Sequence, residues 1–473
     1  MSLTVEPKEP ARFEWKRWPE TEKLVNGLTE SALAGNAFAK RLAERMVPET
    51  GTIFQNWLDH FFVAAPPSFT DKLAALGYEP EVEPHSVGVV VHAHHGGLFP
   101  RIAVEAGEPG LETVAVKDVG IKVESAAAFS GAHNLGLDIQ GYPLGPLRFA
   151  RVVGEGTDLV AIERRAYLGF EAYPGVMARE GRMKPHAARD AMAARDLWVA
   201  RRRRFDDDEQ GFDETEALVD KIIDLVDSRD LACHLIFEVE RDFWQSRNRA
   251  AQVQKARQDR LGLGWANHDH HTFRSSRRFF PRLIQIFRKL GFVLRERFHA
   301  GKDAGWGAQV LEHPTTGIVI FADLDLAPEE ATHDFTRHEL PDLPRPSTVG
   351  LWVALHGESI LDAGMHHLEA QFEFDALRDG LKAEAGIETM KPFSDFPFLR
   401  QAFTEGERWK VSPHRADLAL ARGWITPEER DKFVRDGAIG SHLENLQRRE
   451  GYKGFNQQAV SAILAAVDPR LHL

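Results

Sequence analysis

A faint internal repeat constrains the fold of this chain more than any other feature. Residues 68–105 read as an amphipathic helix, a Leu-Gly-Tyr step and a series of strands, and residues 279–326 follow the same order with Leu-Gly-Phe at the step. Repetition of a supersecondary unit predicts two related β-rich halves. Chance similarity is the competing explanation, because the order helix, glycine, strand is common.

The length of 473 residues is too great for one ordinary core, so we expect several parts. The predicted fold class is α+β. The predicted parts are an N-terminal helical segment over 1–65, a β-rich half over 66–175, a charged helical connector over 176–262 and a second β-rich domain over 263–473. The first segment is predicted to end in a helix through NWLDHFF (56–62). In the last domain we expect strands at 349–361, 365–374 and 439–446, and helices at 375–385 and 413–436.

Charge and composition exclude several classes of protein. The net charge of −12 disfavours a nucleic-acid binder. The one basic run, 201–204, is followed at once by acidic residues and indicates a solvated, salt-bridged linker. No window approaches the roughly 18 apolar residues of a membrane span, and the N-terminus lacks an apolar signal region, so a cytoplasmic protein is expected. Cys233 is the only cysteine and is predicted to be a buried small hydrophobic residue.

The stretch HDHHTFR, residues 268–274, concentrates three histidines, an aspartate and an arginine. A strand here would alternate its faces. One face would carry His268, His270, Thr272 and Arg274, and the other would carry Asp269, His271 and Phe273. Imidazole ligates metals, and the planar fork of arginine suits a carboxylate. With a single cysteine in the chain, a transition-metal site must use imidazole and carboxylate, which suit iron, manganese or zinc.

Two later stretches have dense polar faces. In GMHHLEAQFEF (364–374), alternation groups His367, Glu369, Gln371 and Glu373 opposite apolar residues. Such a face meets solvent more often than a ligand cavity. In residues 437–456, Glu444 shares a face with His442. Glu444 could complete a set of two histidines and one carboxylate, which leaves open positions for substrate and O₂ in non-haem iron(II) oxygenases.

The order of these pieces resembles the 2-oxoadipate dioxygenase/decarboxylase family (hydroxyglutarate synthase), which has the vicinal-oxygen-chelate architecture. The resemblance covers about residues 265–456 and rests on DHHTFR, the helix with its LGF step, HHLEAQFEF, and SHLEN before GYKGFN. It implies a cavity in a curved mixed sheet with flanking helices. Two departures stand out: His366 occupies the position of the family's usual asparagine, and Asn445 and Leu446 follow Glu444 in place of an aromatic residue.

The resemblance also implies an activity and a set of site residues. Fe(II), with Mn or Zn as alternatives, would be held by His270, His367 and Glu444. Arg274 would be the catalytic residue that binds the substrate carboxylate, and Gln371 would be a further substrate-binding candidate. The reaction would consume O₂ and a 2-oxo acid such as 2-oxoadipate, and it would release CO₂ and a shortened 2-hydroxy acid such as 2-hydroxyglutarate. Residues 263–473 would then form the metal-binding catalytic domain.

Several alternatives remain open for the individual ligands. His268 or His271 could replace His270, His366 could replace His367, and Glu312 or Glu369 could replace Glu444. Arg274 could simply pair with an acidic neighbour. Strand parity makes Glu369 and Gln371 candidates for groups that orient the ligand imidazoles.

Other readings apply to the first half and to the function. His92, His94 and Arg101 could form a second metal site, but we favour a degenerate copy of the second half, because no partner histidine strand or carboxylate is placed as it is there. A glyoxalase-like isomerase, a ring-cleaving dioxygenase or a non-catalytic binding protein with the same fold are the alternative functions. No nucleotide-binding fingerprint appears in a strand-to-helix setting.

Overall fold

A computed structural model describes residues 15–81, 88–107, 112–169, 186–299, 305–330 and 333–455. Residues 1–14 of the predicted N-terminal segment, residues 176–185 of the connector and Asn456 of the glycine-rich tail lie outside this description. Helices in the described residues are α1 (Pro19–Gly35), α2 (Ala37–Thr50), α3 (Ser68–Ala75), α4 (Ala126–Ala132), α5 (Ala187–Val199), α6 (Asp208–Val226), α7 (Arg229–Gln245), α8 (Arg249–Asp259), α9 (Phe280–Lys289), α10 (Thr348–His356), α11 (Phe374–Ala385), α12 (Pro413–Ala421) and α13 (Pro427–Asp436). None of them is long and apolar enough to cross a membrane.

The strands form two large mixed sheets, one in each half of the chain. The first sheet contains β1 (Leu58–Ala65), β2 (Glu79–Pro80), β3 (Val89–Ala93), β4 (Arg101–Ala106), β5 (Ala115–Lys122), β6 (Ile139–Gln140), β7 (Leu147–Val152) and β8 (Asp158–Arg164). The second contains β9 (His268–Arg274), β10 (Val293–His299), β11 (Trp306–Glu312), β12 (Val319–Asp325), β13 (His367–Gln371), β14 (Ser394–Phe396), β15 (Leu399–Phe403), β16 (Glu407–Trp409) and β17 (Ala438–Arg448).

The two sheets share one topology. Their strand orders are β2-β3-β4-β1-β5-β8-β7-β6 and β10-β11-β12-β9-β13-β17-β15-β14, with β16 paired to β17 at the side. Apart from β16, each sheet consists of two units of strand, helix and three strands. In each unit the first strand pairs in parallel with the last, and the two first strands meet in antiparallel pairing at the centre.

This arrangement confirms the predicted α+β class with mixed sheets, flanking helices and two related β-rich halves. The repeat found in the sequence corresponds to the first unit of each sheet. The structure adds a second unit to each.

Two predicted elements are wrong. The helix through 56–62 is instead a short 3₁₀ turn, Phe54–Trp57, followed by β1. This strand lies at the centre of the first sheet and is buried almost throughout, so its nearly continuous apolar run lacks the alternation that identifies a strand. The strand over 349–361 is instead α10, which is buried on nearly every side and therefore shows no amphipathic pattern. The capping box of α13, formed by Thr426 and Glu429, is confirmed.

Helices cover one face of each sheet. In the second sheet Phe273 of β9 and Ile320, Ala322 and Leu324 of β12 join the core formed with α7 and α9. The alternate residues point to the opposite face. We call this opposite face of β9, β12, β13 and β17 the polar face. It carries His270, Thr272, Arg274, Phe321, Asp323, His367, Glu369 and Glu444.

The basic run of the connector is salt-bridged, as predicted, but it is not solvated throughout. The buried Glu240 of α7 lies 3.0 Å from a guanidinium nitrogen of Arg201 and 2.5 Å from one of Arg203. The Arg201 side chain is only 2% exposed. Both arginines also donate hydrogen bonds to the backbone carbonyls of Ile360 and Leu361. The run therefore anchors the segment that leads into β13. Cys233 is buried, as predicted.

Candidate metal centre

Strand β9 brings HDHHTFR to the centre of the second sheet, between β12 and β13. Its pairing with β13 is irregular: Leu368 lies opposite His271, and Ala370 lies opposite His268. From His268 to His271 the chain advances three residues along β9, whereas the facing segment of β13 advances two, as in a β-bulge. The predicted strict alternation fails here, because the ring of His268 packs 5.1 Å from that of His271.

Three side chains converge on the polar face. His367 Nε2 lies 3.0 Å from Glu444 Oε2 and 3.3 Å from His270 Nε2. The distance from His270 Nε2 to Glu444 Oε2 is 3.8 Å. All three residues are buried, and their possible ligand atoms lie within 4.8 Å of one another. The sequence placed the same three residues together only through the family resemblance, because they stand on strands far apart in the chain.

Of the alternative ligands, Glu312 and His271 lie away from the three converging side chains, whereas His366 and Glu369 lie beside them. Glu312 pairs with Arg295 and Lys453, at 3.4 and 3.5 Å. His271 lies 3.3 Å from a guanidinium nitrogen of Arg241, on the helix side of the sheet. Glu369 forms an overlapping group of possible ligands with Asp269 and His270.

Each of the two candidate ligand histidines, His270 and His367, has a polar partner at its Nδ1 atom. Glu369 Oε2 lies 2.6 Å from Nδ1 of His270, and Nδ1 of His366 lies 2.8 Å from Nδ1 of His367. Gln401 of β15 donates hydrogen bonds to Glu369 Oε1 at 2.8 Å and to Glu444 Oε1 at 3.3 Å. No pattern in the sequence indicated Gln401, because only the sheet register brings β15 beside β17.

Gln371, predicted to bind substrate, donates a hydrogen bond to Asp269 Oδ2 at 3.2 Å. Asp269 also accepts hydrogen bonds from Arg448 at 3.1 and 3.2 Å. Gln371 therefore contacts the charged surroundings of the triad. None of its hydrogen bonds reaches His270, His367 or Glu444.

The site holds more carboxyl groups than its neighbouring arginine could neutralise if all of them were ionised. Asp269, Glu369 and Glu444 cluster here, and Arg448 pairs with the first two. Burial and the adjacent Glu369 raise the pKa of Glu444 well above its usual value. Burial lowers the pKa of His270, but Glu369 and Asp269 outweigh it and raise this pKa to about 9. A divalent cation would offset the charge of the ionised carboxylates, and it would displace the imidazole proton.

The donor set fits a transition metal. Two imidazole nitrogens and one carboxylate oxygen suit iron, manganese or zinc. Burial and the positive charges of His270 and Arg274 lower the pKa of His367 well below its usual value. His367 therefore stays a neutral imidazole, the form that a metal requires.

Arg274 lies on the same face as the three possible ligands. Its Nε is 3.7 Å from Asp323 Oδ2, and its guanidinium lies 5.4 Å from the ring centre of Trp352. Its backbone N–H donates a hydrogen bond to Ser359 Oγ at 2.8 Å. Burial raises the pKa of Asp323 to about 7, although the charge of Arg274 opposes this. In the part of the chain that the structure describes, this buried guanidinium thus has Asp323 as its salt-bridge partner, at a distance that makes the pair weak.

Sheet register identifies the counterparts of these residues in the first half. His60 is the first residue of β1 that pairs with the parallel strand β4, and His270 is the first residue of β9 that pairs with the parallel strand β12. Two residues after each histidine, Phe62 pairs with Asp118 in the first half and Thr272 pairs with His367 in the second. Two residues after these partners, Gly120 pairs with Val160 and Glu369 pairs with Glu444. The first half therefore has a histidine, an aspartate and a valine where the second has the three possible ligands.

The degenerate character of the first half stays a prediction. Among the described residues, groups of three or more possible ligands occur only in the second half. His94 packs against Trp18 and Tyr78, and its Nε2 lies 3.1 Å from the carbonyl oxygen of Leu76. The counterpart of His270 is His60, which sequence reasoning missed. The repeated Asp-His dipeptide at 59–60 and 269–270 could have revealed it.

Comparison with known proteins adds little at the level of function. No protein-family model and no curated protein matches the sequence. A mutant of 4-hydroxymandelate synthase from Streptomyces coelicolor is 12% identical over 88% of this chain and 98% of that chain, with a TM-score of 0.25. Methylmalonyl-CoA epimerase from Mycobacterium tuberculosis is 14% identical over 39% and 89%, with a TM-score of 0.22. A xylose isomerase-like TIM barrel/4-hydroxyphenylpyruvate dioxygenase fusion protein is 11% identical over 90% and 53%, with a TM-score of 0.22. Likenesses this weak say nothing of the activity, so the chemistry has to be judged from the site.

Proposed function

We propose that this protein is a non-haem Fe(II) dioxygenase/decarboxylase that acts on a 2-oxo dicarboxylic acid such as 2-oxoadipate. The observation that carries the proposal is the convergence of two imidazole nitrogens and one carboxylate oxygen on a buried sheet face that also holds an arginine. A metal ion held by two histidines and one carboxylate would keep coordination positions open for substrate and O₂. The sequence resemblance to 2-oxoadipate dioxygenases supports the same activity.

His270, His367 and Glu444 would hold the metal. When bound, it supplies Lewis acidity toward the 2-oxo group and redox chemistry toward O₂. Glu369 holds the Nδ1 side of His270, and Gln401 holds both carboxylates in place through its amide. These contacts fix the ligands before the metal arrives, which lowers the cost of ordering them.

Arg274 would bind the remote carboxylate of the substrate. Arg448 is the other arginine near the proposed metal position that could bind this carboxylate. Its guanidinium already donates hydrogen bonds to Asp269 and to the backbone carbonyls of Tyr452 and Gly454. Among the described residues, the Nε of Arg274 has no hydrogen-bond partner, and its ionic contact with Asp323 is 3.7 Å long. A carboxylate could therefore form the paired hydrogen bonds that a guanidinium favours.

Aromatic rings close the site to bulk water. The ring of Phe321 lies 4.2 Å from that of His270, and the ring of Phe403 lies 5.1 Å from that of His367. Phe455 packs on Phe321 at 5.1 Å. Exclusion of water strengthens the attraction between Arg274 and a bound carboxylate.

The proposed reaction consumes one O₂ and releases one CO₂ for each substrate. The carboxyl group next to the 2-oxo carbon leaves as CO₂. One oxygen atom of O₂ enters the new carboxylate, and the other enters the new hydroxyl group, so 2-oxoadipate gives 2-hydroxyglutarate. The test is an oxygen-electrode measurement on anaerobically Fe(II)-loaded protein, with product and CO₂ quantified. Equal O₂ uptake and CO₂ release would support the proposal; metal-loaded protein that consumes no O₂ with any 2-oxo dicarboxylate would refute it.

The aromatic lining favours a second candidate, a ring-cleaving dioxygenase. Phe321 and Phe403 both flank ligand histidines, and Phe393 extends this surface at 5.2 Å from Phe403. Such rings would stack on a planar substrate. Turnover of a catechol in the same electrode, without CO₂ release, would distinguish this activity from the first.

A further inference from the structure

The immediate neighbour of His367 in the chain also touches its side chain. Nδ1 of His366 lies 2.8 Å from Nδ1 of His367, and both rings are buried. On its other side, Nε2 of His367 lies 2.8 Å from Thr272 Oγ1 and also faces Glu444 and His270. His367 thus has one nitrogen directed at the proposed metal position and the other directed at His366.

We propose that His366 is a positioning residue, which fixes the tautomer and ring orientation of His367 by accepting a hydrogen bond from its Nδ1. The inference rests on the proposed metal site. A neutral imidazole has one N–H and one lone pair. If the Nε2 lone pair of His367 is given to a metal, its hydrogen must be on Nδ1, and the adjacent nitrogen of His366 must accept it.

The structure holds His366 in place for this role. Its backbone N–H donates a hydrogen bond to the carbonyl of Thr272 at 2.9 Å, and its own carbonyl accepts one from the backbone of His442 at 3.3 Å. Its ring packs against those of Trp352 and His442, at 5.5 and 5.4 Å. Both neighbouring strands therefore anchor the backbone, and aromatic rings restrict the side chain.

The two ligand histidines have partners of different charge. His270 faces the carboxylate of Glu369, whereas His367 faces an imidazole. An imidazole can accept a hydrogen bond through the nitrogen that bears its lone pair. A carboxylate partner raises the basicity of a ligand imidazole. The imidazole partner therefore adds no negative charge to a site that already holds three carboxyl groups.

The test uses Co(II) as a spectroscopic metal probe with the full chain and the variants His366→Ala, His366→Asn and His356→Ala. His356 is a matched control: it is buried, its ring packs on Trp352 at 5.4 Å, and its Nε2 lies 3.2 Å from the backbone carbonyl oxygen of Ile439, with no contact to His367. Dissociation constants and visible absorption spectra are measured for each, and circular dichroism checks folding.

We expect His366→Ala to weaken Co(II) binding about 10- to 100-fold and to change the absorption spectrum. His366→Asn should recover part of this affinity, because its amide oxygen can accept the same hydrogen bond. His356→Ala should keep both affinity and spectrum. Unchanged binding in folded His366→Ala together with an unchanged spectrum, a loss in folded His366→Asn as large as that in His366→Ala, or an equal loss in His356→Ala would overturn the inference. Failure of the unaltered protein to bind Co(II) would refute the metal site itself and is recognisable before any variant is made.

Discussion

Asp269 accepts two hydrogen bonds from Arg448, at 3.1 and 3.2 Å, and this pair joins the first strand of one unit to the last strand of the next. The first half repeats the arrangement, since Asp59 accepts two hydrogen bonds of 2.7 Å from Arg164. In both halves a histidine follows the aspartate. The pair is thus present with the possible metal ligands and without them, which indicates a structural role in the fold.

The first prediction separates this structural role from metal binding. Asp59→Asn should lower the free energy of unfolding by ~3 kcal/mol, because it removes the buried carboxylate that pairs with the half-buried Arg164. It should leave metal stoichiometry unchanged. Chemical denaturation gives the stability and elemental analysis gives the metal content; a loss of metal in the folded variant would contradict the assignment of Asp59 to the fold.

The second prediction concerns Glu369. Glu369→Gln should weaken Fe(II) or Co(II) binding ~10- to 100-fold, because His270 loses its anionic partner. One metal ion per chain should still bind at saturation, since the three ligands remain. Isothermal titration measures both values. An unchanged dissociation constant would exclude Glu369 as the group that orients His270, and a complete loss of binding would make it a ligand.

The third prediction concerns Arg274. Arg274→Lys should raise KM for 2-oxoadipate ~10- to 100-fold, because one ammonium cannot reproduce two parallel hydrogen bonds. Hydrogen bonds to charged groups are worth ~1.5–3 kcal/mol. Metal affinity should stay within a factor of about two, as Arg274 is not a ligand in this account. Steady-state kinetics with a monocarboxylic 2-oxo acid as control would show whether the effect depends on the remote carboxylate.

The fourth prediction concerns pH. Asp323 has a pKa of about 7, above its ordinary value of 3.8, so it is neutral below pH 7 and charged above it. The charged form competes with a substrate carboxylate for Arg274, and KM should therefore rise between pH 6 and 8, by at most ~10-fold per pH unit for one proton. The raised pKa also means that Asp323 lowers folding stability as the pH rises from about 4 to 7. Asp323→Asn should flatten both profiles; an unchanged KM profile would exclude Asp323.

The sequence predicted the strands that carry the site better than it predicted the contacts between them. HDHHTFR is a strand, and the polar residues of β13 face the same side as predicted. The bulge in β9 was not predictable, because it arises from pairing with β13 nearly 100 residues later. His366 and Gln401 acquire their roles only through this packing.

We propose that His270, His367 and Glu444 hold one metal ion in each chain. The most direct test of this proposal is Fe(II) content by elemental analysis after anaerobic loading and desalting, for the unaltered protein, each alanine variant of the three residues, and His60→Ala as the control from the first half. The account predicts one iron per chain in the unaltered protein and in His60→Ala, and little or none in the other three folded variants. Iron retained by those three variants, or lost in His60→Ala alone, would contradict it.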